Sequence, residues 1–208
     1  MPKLLIATNN AGKAAEFRRL LAGCGWQIVT PAEAGVDLEV EESGATYEEN
    51  ARRKAVAYTR ASGLVTLADD SGLEVDALDG RPGPFSARYA GPDRTDEERV
   101  EALLQELAGV PDEQRGARFR CVIVIAGPEG RVEIVEGTVE GRIAHGPRGE
   151  NGFGYDPVFL LPERGVTAAE LPSDEKDAVS HRGAAARKSR EVLEAMLRGS
   201  GFSPTALG

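Results

Sequence analysis

Two short runs of carboxylates could hold a divalent cation. Glu41 and Glu42 precede a helix-like pattern, and Asp69 and Asp70 follow the apolar run 65–68. Mg²⁺ prefers a few carboxylates together with water and substrate phosphates, so two or three of these groups beside a phosphate would make a magnesium site. Adjacent aspartates on a strand point to opposite faces, which indicates different roles. Acidic residues before a helix are commonly just solvated, and for the glutamate pair this alternative is the stronger one.

The segment after the first apolar run could bind phosphate. Residues 4–7 have the pattern of a strand, and apolar side chains recur at helical spacing from Phe17 onward. Backbone N–H groups at a helix start attract anions, and Lys13 adds a positive charge. The glycine spacing is wrong for a Walker A loop, and Ala14 stands where that loop has a hydroxyl group. An ordinary turn rich in asparagine and glycine explains this segment equally well when it is taken alone.

Lys54 is a second candidate for phosphate binding. It follows Asn50 by one turn of a predicted helix, so the two side chains share a face. A lysine on a helix more often faces solvent, and the functional interpretation therefore depends on the groups around it.

A glycine-rich segment, 149–157, has groups suited to a nucleotide. Its glycines allow the backbone to approach a ligand closely, Phe153 offers a face for stacking a base, and Asp156 can accept hydrogen bonds. An aromatic residue beside glycines is more often an anchor for a loop, so this segment is ambiguous by itself.

The segment 173–183, ahead of the last predicted helix, supplies hydrogen-bond donors. Lys176, His181 and Arg182 lie near a helix start, where the helix dipole favours acids instead. A lone histidine is ordinarily structural or exposed. The three donors together are better explained by an anion or a keto oxygen that they bind.

An α/β scaffold is needed to position these groups. Thr46 with Glu49 has the capping-box pattern, and so does Thr95 with Glu98. Helices are predicted after Thr46 to about 62, from 93–95 to 108, and over 182–197. Strands are predicted over 26–30, 65–68, 118–126, 132–139 and 158–161, with a hairpin between the third and fourth of these. Strands that alternate with helices and then follow one another predict a mixed sheet with helices on its faces.

Composition excludes several classes of protein. The chain has 208 residues and a formal net charge of −9, which argues against binding to nucleic acid or to an anionic membrane. Its apolar runs are too short to cross a bilayer, and no signal-peptide pattern is present, so we expect a cytoplasmic location. Cys24 and Cys121 lie far apart without a CxxC motif, and buried thiols are expected rather than a disulfide or a zinc site.

Taken together and in this order, the motifs resemble those of the inosine triphosphate pyrophosphatase family, which acts on non-canonical purine nucleoside triphosphates. The resemblance extends from Lys3 to about Leu197. It rests on Thr8-x-Asn10-x-x-Lys13, Glu42 with Asn50 and Lys54, Asp69-Asp70-Ser71-Gly72, Ser86-Ala87-Arg88-Tyr89, Phe153-Gly154-Tyr155-Asp156-Pro157 and Ser180-His181-Arg182.

The resemblance implies an elongated mixed β-sheet flanked by helices, two lobes with a central cleft, and a homodimer. It implies one domain over 1–198, and we expect a flexible tail over 199–208. It also implies a Mg²⁺-dependent enzyme that cleaves ITP, dITP and XTP to the monophosphate and pyrophosphate. Rival interpretations are a pyrophosphatase for a modified pyrimidine triphosphate, a nucleotide sensor without turnover, and a structural domain with acidic loops.

Roles for individual residues follow from the same resemblance. Glu42 and Asp70 would bind Mg²⁺, and Asp70 would also accept a proton from the attacking water. Phosphate binding is assigned to Thr8, Asn9, Asn10, Ala11, Gly12 and Lys13, with assistance from Lys54. Nucleotide binding, chiefly to the base, is assigned to Ser71, Phe153, Gly154, Tyr155, Asp156, Lys176, His181 and Arg182. Donors that face the oxygen at purine position 6 would accept hypoxanthine and xanthine and disfavour adenine, whose amino group is itself a donor.

Overall fold

A computed structural model describes residues 1–199. Its strands are β1 (Lys3–Ile6), β2 (Gln27–Val29), β3 (Val65–Val75), β4 (Gly116–Ala126), β5 (Val132–Ile143), β6 (Phe159–Leu161) and β7 (Val166–Thr167). Its α-helices are α1 (Ala11–Leu20), α2 (Pro31–Ala34), α3 (Tyr47–Ser62), α4 (Asp96–Glu106), α5 (Ser173–Val179) and α6 (His181–Leu197). The predicted tail, apart from Gly199, lies outside the described residues.

The strands form one mixed sheet in the order β2-β1-β3-β4-β5-β6-β7. β1 pairs in parallel with both β2 and β3, so that Leu4 lies opposite Ile28 on one side and Val65 on the other. β6 pairs antiparallel with β5 and with β7. The α/β prediction with a mixed sheet is therefore confirmed.

The helices that precede the site begin where their capping residues predict. The Thr46 hydroxyl accepts from the Glu49 amide, and Thr95 forms the full reciprocal box with Glu98. At the first of these helices the Glu49 carboxylate accepts from the Ala45 amide rather than from Thr46. Only half of that predicted box therefore forms, and the other bond holds the preceding turn against the helix.

The structure departs from the predictions at the aspartate pair and ahead of the last helix. The strand predicted over 65–68 continues to Val75, so Asp69 and Asp70 lie in the middle of β3 and not at its end. Leu73 and Val75 are fully buried and carry the strand onward, and polar partners described below make the buried aspartates tolerable. α5 was not predicted, because a seven-residue helix rich in charged residues has no apolar periodicity to identify it.

The described part of the chain forms two compact units. The first unit contains residues 1–70, 121–137 and the described part of the chain from 183 onward; the second contains 71–120 and 138–182. Leu4, Phe17 and Ile123 are buried in the core of the first unit, and Leu103 and Phe159 in that of the second. No helix within residues 1–199 has the length and apolar character that a membrane span requires.

Candidate active site

The start of α1 places Lys13 beside β3 in the first unit. Asn10 caps the helix by accepting a hydrogen bond from the Lys13 amide at 3.0 Å, and the Thr8 hydroxyl accepts from the Asn10 amide at 3.1 Å. The Lys13 ammonium lies 2.9 Å from Oδ2 of Asp69, whose side chain is almost fully buried. With no acidic residue in its first turn, the helix start keeps the positive end of its dipole available to an anion.

Lys54 is buried and is held by two oxygens. Its Nζ lies 2.5 Å from Oε1 of Glu42 and donates to the backbone oxygen of Asp69, also at 2.5 Å. Only 8% of the residue is exposed, so the alternative in which this lysine faces solvent is wrong. Asp69 therefore contacts both lysines, one through its carboxylate and the other through its backbone.

Asp70 points to different partners from Asp69, as the alternation of a strand requires. Its Oδ2 accepts a hydrogen bond of 2.9 Å from the Asn50 amide group. The Asn50 oxygen accepts from the Gly44 amide at 2.8 Å, so this one buried side chain connects the aspartate to the segment just after Glu42. Sequence reasoning noted Asn50 only as a companion of Lys54 and did not assign it this role.

The charges in this cluster are unbalanced. The carboxylates of Glu42, Asp69 and Asp70 face the ammonium groups of Lys13 and Lys54, which leaves one net negative charge. Burial raises the pKa of Asp70 above its ordinary value, and the nearby Lys54 charge and the Asn50 hydrogen bond reduce this shift without cancelling it. Burial by itself would lower the pKa of Lys54, but the three carboxylates together raise it, so this lysine stays protonated.

The donor set fits a magnesium ion that is shared with a ligand. Within residues 1–199, no three His, Cys, Asp or Glu side chains form a preformed cage for a metal. Mg²⁺ is usually held by one or two carboxylates while water and substrate phosphates fill its other positions. Glu42, which is one-third exposed, and Asp70, whose ionised form is disfavoured by burial, are carboxylates of this kind.

A second group of predicted residues meets in the second unit, around Asp156. This buried carboxylate accepts from the Phe153 amide at 2.9 Å and from Lys176 Nζ at 2.6 Å. The lysine also lies 5.0 Å from the centre of the Phe153 ring, and the Arg182 guanidinium lies 5.4 Å from it. The aromatic ring predicted to stack on a base is therefore bordered by two cations.

Arg182 and His181 begin α6 and are nearly fully buried. Arg182 donates to the Ser71 hydroxyl at 2.9 Å, which brings together two residues 111 positions apart. The His181 ring stacks on Phe119 of β4, with ring centres 4.7 Å apart. Phe119 was not singled out from the sequence, because it has the pattern of an ordinary strand residue.

The predicted residues thus form two groups. One, in the first unit, contains Thr8, Asn10, Lys13, Glu42, Lys54 and Asp70, with Asn9, Ala11 and Gly12 in the same exposed segment. The other, in the second unit, contains Ser71, Phe153, Asp156, Lys176, His181 and Arg182, with Gly154 and Tyr155 in the same loop. The Tyr155 hydroxyl donates to the backbone oxygen of Ser86 at 2.9 Å, so the segment that contains Ser86 supports this loop.

Carboxylates and lysines beside the positive end of a helix, on a mixed α/β sheet, are characteristic of proteins that bind phosphorylated ligands with a divalent cation. Comparison with known proteins narrows this class. The Ham1 family model matches residues 4–192, and the chain belongs to the Ham1 family. The resemblance identified from the sequence motifs is therefore confirmed.

Named relatives and a solved structure agree with this membership. The chain is 49% identical to the dITP/XTP pyrophosphatase of Bacillus subtilis over 94% of this chain and 98% of that protein. It is 51% identical to the dITP/XTP pyrophosphatase of Desulforamulus reducens, over 92% and 95% respectively. A HAM1 protein from Coxiella burnetii matches with a TM-score of 0.84 at 43% identity, covering 93% of this chain and 98% of that structure.

Proposed function

We propose that this protein hydrolyses non-canonical purine nucleoside triphosphates, namely ITP, dITP and XTP, to the nucleoside monophosphate and pyrophosphate. The observation that carries the proposal is the gathering of Glu42, Asp69 and Asp70 with Lys13 and Lys54. The names of its relatives support the choice of substrate. Such an activity would remove deaminated purines from the nucleotide pool.

In this proposal Glu42 and Asp70 hold Mg²⁺. The ion would supply positive charge at the phosphate oxygens and fix the geometry of an in-line displacement. The excess of carboxylates over ammonium groups among these five side chains and the raised pKa of Asp70 both favour binding of a cation. The segment from Thr8 to Lys13 binds the phosphates through its backbone N–H groups and the Lys13 ammonium.

Asp70 acts as the proton acceptor for the attacking water. A carboxylate is a better general base when its pKa lies above the usual range, because the proton it accepts is then bound more firmly. Asn50 fixes one carboxylate oxygen through its 2.9 Å hydrogen bond and so orients the group. Lys13 and Lys54 stabilise the negative charge that develops as pyrophosphate leaves.

The group around Asp156 selects the base. Lys176, which is paired with Asp156, and Arg182 place two cationic hydrogen-bond donors near the Phe153 ring. Such a surface suits the oxygen at position 6 of hypoxanthine or xanthine, which accepts hydrogen bonds. The amino group at position 6 of adenine is itself a donor and cannot accept from these side chains. Burial of these cations makes a mismatch costly, because an unpaired buried group keeps its full desolvation penalty.

We further propose that the protein acts in the cytoplasm as a homodimer, the assembly that the resemblance to the family implies. Sedimentation velocity at micromolar concentration tests the assembly. A species of twice the chain mass of 22.1 kDa is expected, and a monomer at all concentrations would contradict it.

A single assay tests the proposed reaction and its rivals. Pyrophosphate release is measured for ITP, dITP, XTP, ATP, GTP and modified pyrimidine triphosphates, with Mg²⁺ or with EDTA. We expect kcat/KM for the deaminated purines to exceed that for ATP by at least about tenfold, and activity to disappear with EDTA. Equal values for ITP and ATP would contradict the proposal. A preference for a pyrimidine triphosphate would support the rival pyrophosphatase function, and binding without turnover would support a nucleotide sensor.

A further inference from the structure

The loop that carries Phe153 is fixed near both of its ends. At its start, the Asn151 amide donates to the Ala169 oxygen at 3.0 Å. At its end, the Tyr155 hydroxyl donates to the Ser86 oxygen, and Asp156 accepts from the Phe153 amide. Gly154 lies between Phe153 and Tyr155 and has a positive φ of 63°. None of the hydrogen bonds above involves its amide, which needs a partner of its own.

That partner is the side chain of Asp96, the first residue of α4. Its Oδ2 accepts from the Gly154 amide at 2.7 Å, although the two residues lie 58 positions apart. Its Oδ1 accepts from Arg99 Nη1 at 2.8 Å, so the carboxylate is held from a second side. Both bonds involve a charged group, and such bonds are stronger than neutral ones.

Packing does not replace this hydrogen bond. A cavity of about 810 Å³ lies along α4 and the loop, and Asp96, Phe153 and Gly154 are among the residues that line it. With open space there, the loop could shift away from its observed position if the Gly154 amide lost its acceptor. The position of the Phe153 ring therefore depends on a residue outside the motifs that carry the family resemblance.

We propose that Asp96 is a positioning residue for recognition of the base, with Arg99 as its support. This inference rests on the proposed function, in which Phe153 and Asp156 contact the base side of the substrate. Asp96 does not touch the substrate in this scheme. It acts by keeping the loop in the conformation that binds, so that substrate binding does not have to order the loop.

The test compares Asp96→Ala and Asp96→Asn with Glu97→Ala. Glu97 is the matched control, because it is the next acidic residue in the first turn of α4 and is exposed. The steady-state kcat and KM for ITP are measured for each protein, together with the inhibition constant of inorganic tripolyphosphate, which has no base. Thermal unfolding shows whether each variant is folded.

We expect Asp96→Ala to raise KM for ITP by about tenfold, the change that corresponds to losing one hydrogen bond to a charged acceptor. The values of kcat and of the tripolyphosphate inhibition constant should stay those of the control. Asp96→Asn keeps an acceptor for Gly154 but loses the one for Arg99, so a smaller rise in KM is expected; this variant also carries the test if the alanine variant does not fold.

Two results would overturn the inference. One is a KM for ITP in both Asp96 variants equal to that of Glu97→Ala. The other is a parallel loss of tripolyphosphate binding, which would indicate a general structural effect instead. A wild-type protein that does not hydrolyse ITP would contradict the proposed function. This outcome is distinguishable from failure of the Asp96 inference, because it is measured on the unmodified chain and not on the variants.

Discussion

Replacing Asp70 with asparagine should abolish catalysis while making the metal-free protein more stable. The substitution keeps the size of the side chain, and the asparagine oxygen can still accept the 2.9 Å hydrogen bond from Asn50. It removes one of three carboxylates that face two ammonium groups, so the cluster becomes neutral. The phosphate-binding segment from Thr8 to Lys13 is unchanged, and KM for ITP should therefore change little.

The rate should fall at least about a hundredfold, because a general base contributes a factor of this size or more. This corresponds to about 2.7 kcal/mol of activation free energy. The loss should appear in kcat, measured as pyrophosphate release from ITP at saturating Mg²⁺. Near wild-type release by Asp70→Asn would remove this residue from the role of base.

The effect on stability has the opposite sign. Burial raises the pKa of Asp70 in the folded protein above its ordinary value of 3.8, so ionisation costs the folded state free energy. That cost is absent below pH 3.8 and develops as the pH rises through the folded pKa. Asp70→Asn should accordingly have a higher Tm than wild type at pH 7.5 in EDTA, and the gain should shrink as the pH is lowered.

Asp93→Asn is the control for this measurement, because Asp93 is exposed. Its Tm should match that of wild type at each pH. An Asp70→Asn protein that is less stable than wild type at pH 7.5 in EDTA would refute the argument that burial disfavours the ionised carboxylate.

Two further substitutions test the cluster and the loop. Lys54→Met should lower the free energy of unfolding by about 3 kcal/mol, because it breaks a largely buried ion pair. Arg52→Met breaks an exposed pair on the same helix and should change this free energy by less than about 1 kcal/mol. Urea denaturation measures both values. Gly152→Ala would place a Cβ 2.1 Å from Oδ2 of Asp156 and should raise KM for ITP severalfold. Gly165→Ala is the control, because it has a similar positive φ but open space around it; it should affect only stability, by about 1 to 2 kcal/mol. Equal KM values for the two glycine variants would contradict the role of the loop.

Sequence patterns predicted much of the fold because several signals were local. Capping residues such as Thr95 identify helix starts within a few positions, and alternating apolar residues identify β4 and β5. β3 was predicted too short, since its length depends on whether Asp69 and Asp70 find partners from other elements. No local pattern contains that information.

The candidate site was predictable as a set of residue types, but not as a set of contacts. The resemblance to a family named Lys13, Lys54, Glu42 and Asp70, and the structure brings them together in the first unit. The dual contact of Asp69 with both lysines depends on where two helices meet one strand. The hydrogen bond from Gly154 to Asp96 spans 58 positions and joins a loop to a helix whose start is predictable but whose contact with the loop is not. Such contacts follow from tertiary packing and could not be predicted from spacing.

A crystal structure of Asp70→Asn with ITP and Mg²⁺ tests the central claim most directly. The claim is that the carboxylates and lysines of the first unit act together on one triphosphate. We predict phosphate oxygens within hydrogen-bonding distance of both Lys13 and Lys54, and the metal bound to Glu42 and to the phosphates. A triphosphate bound elsewhere, with the Lys54–Glu42 and Lys13–Asp69 pairs intact and no metal beside them, would contradict it.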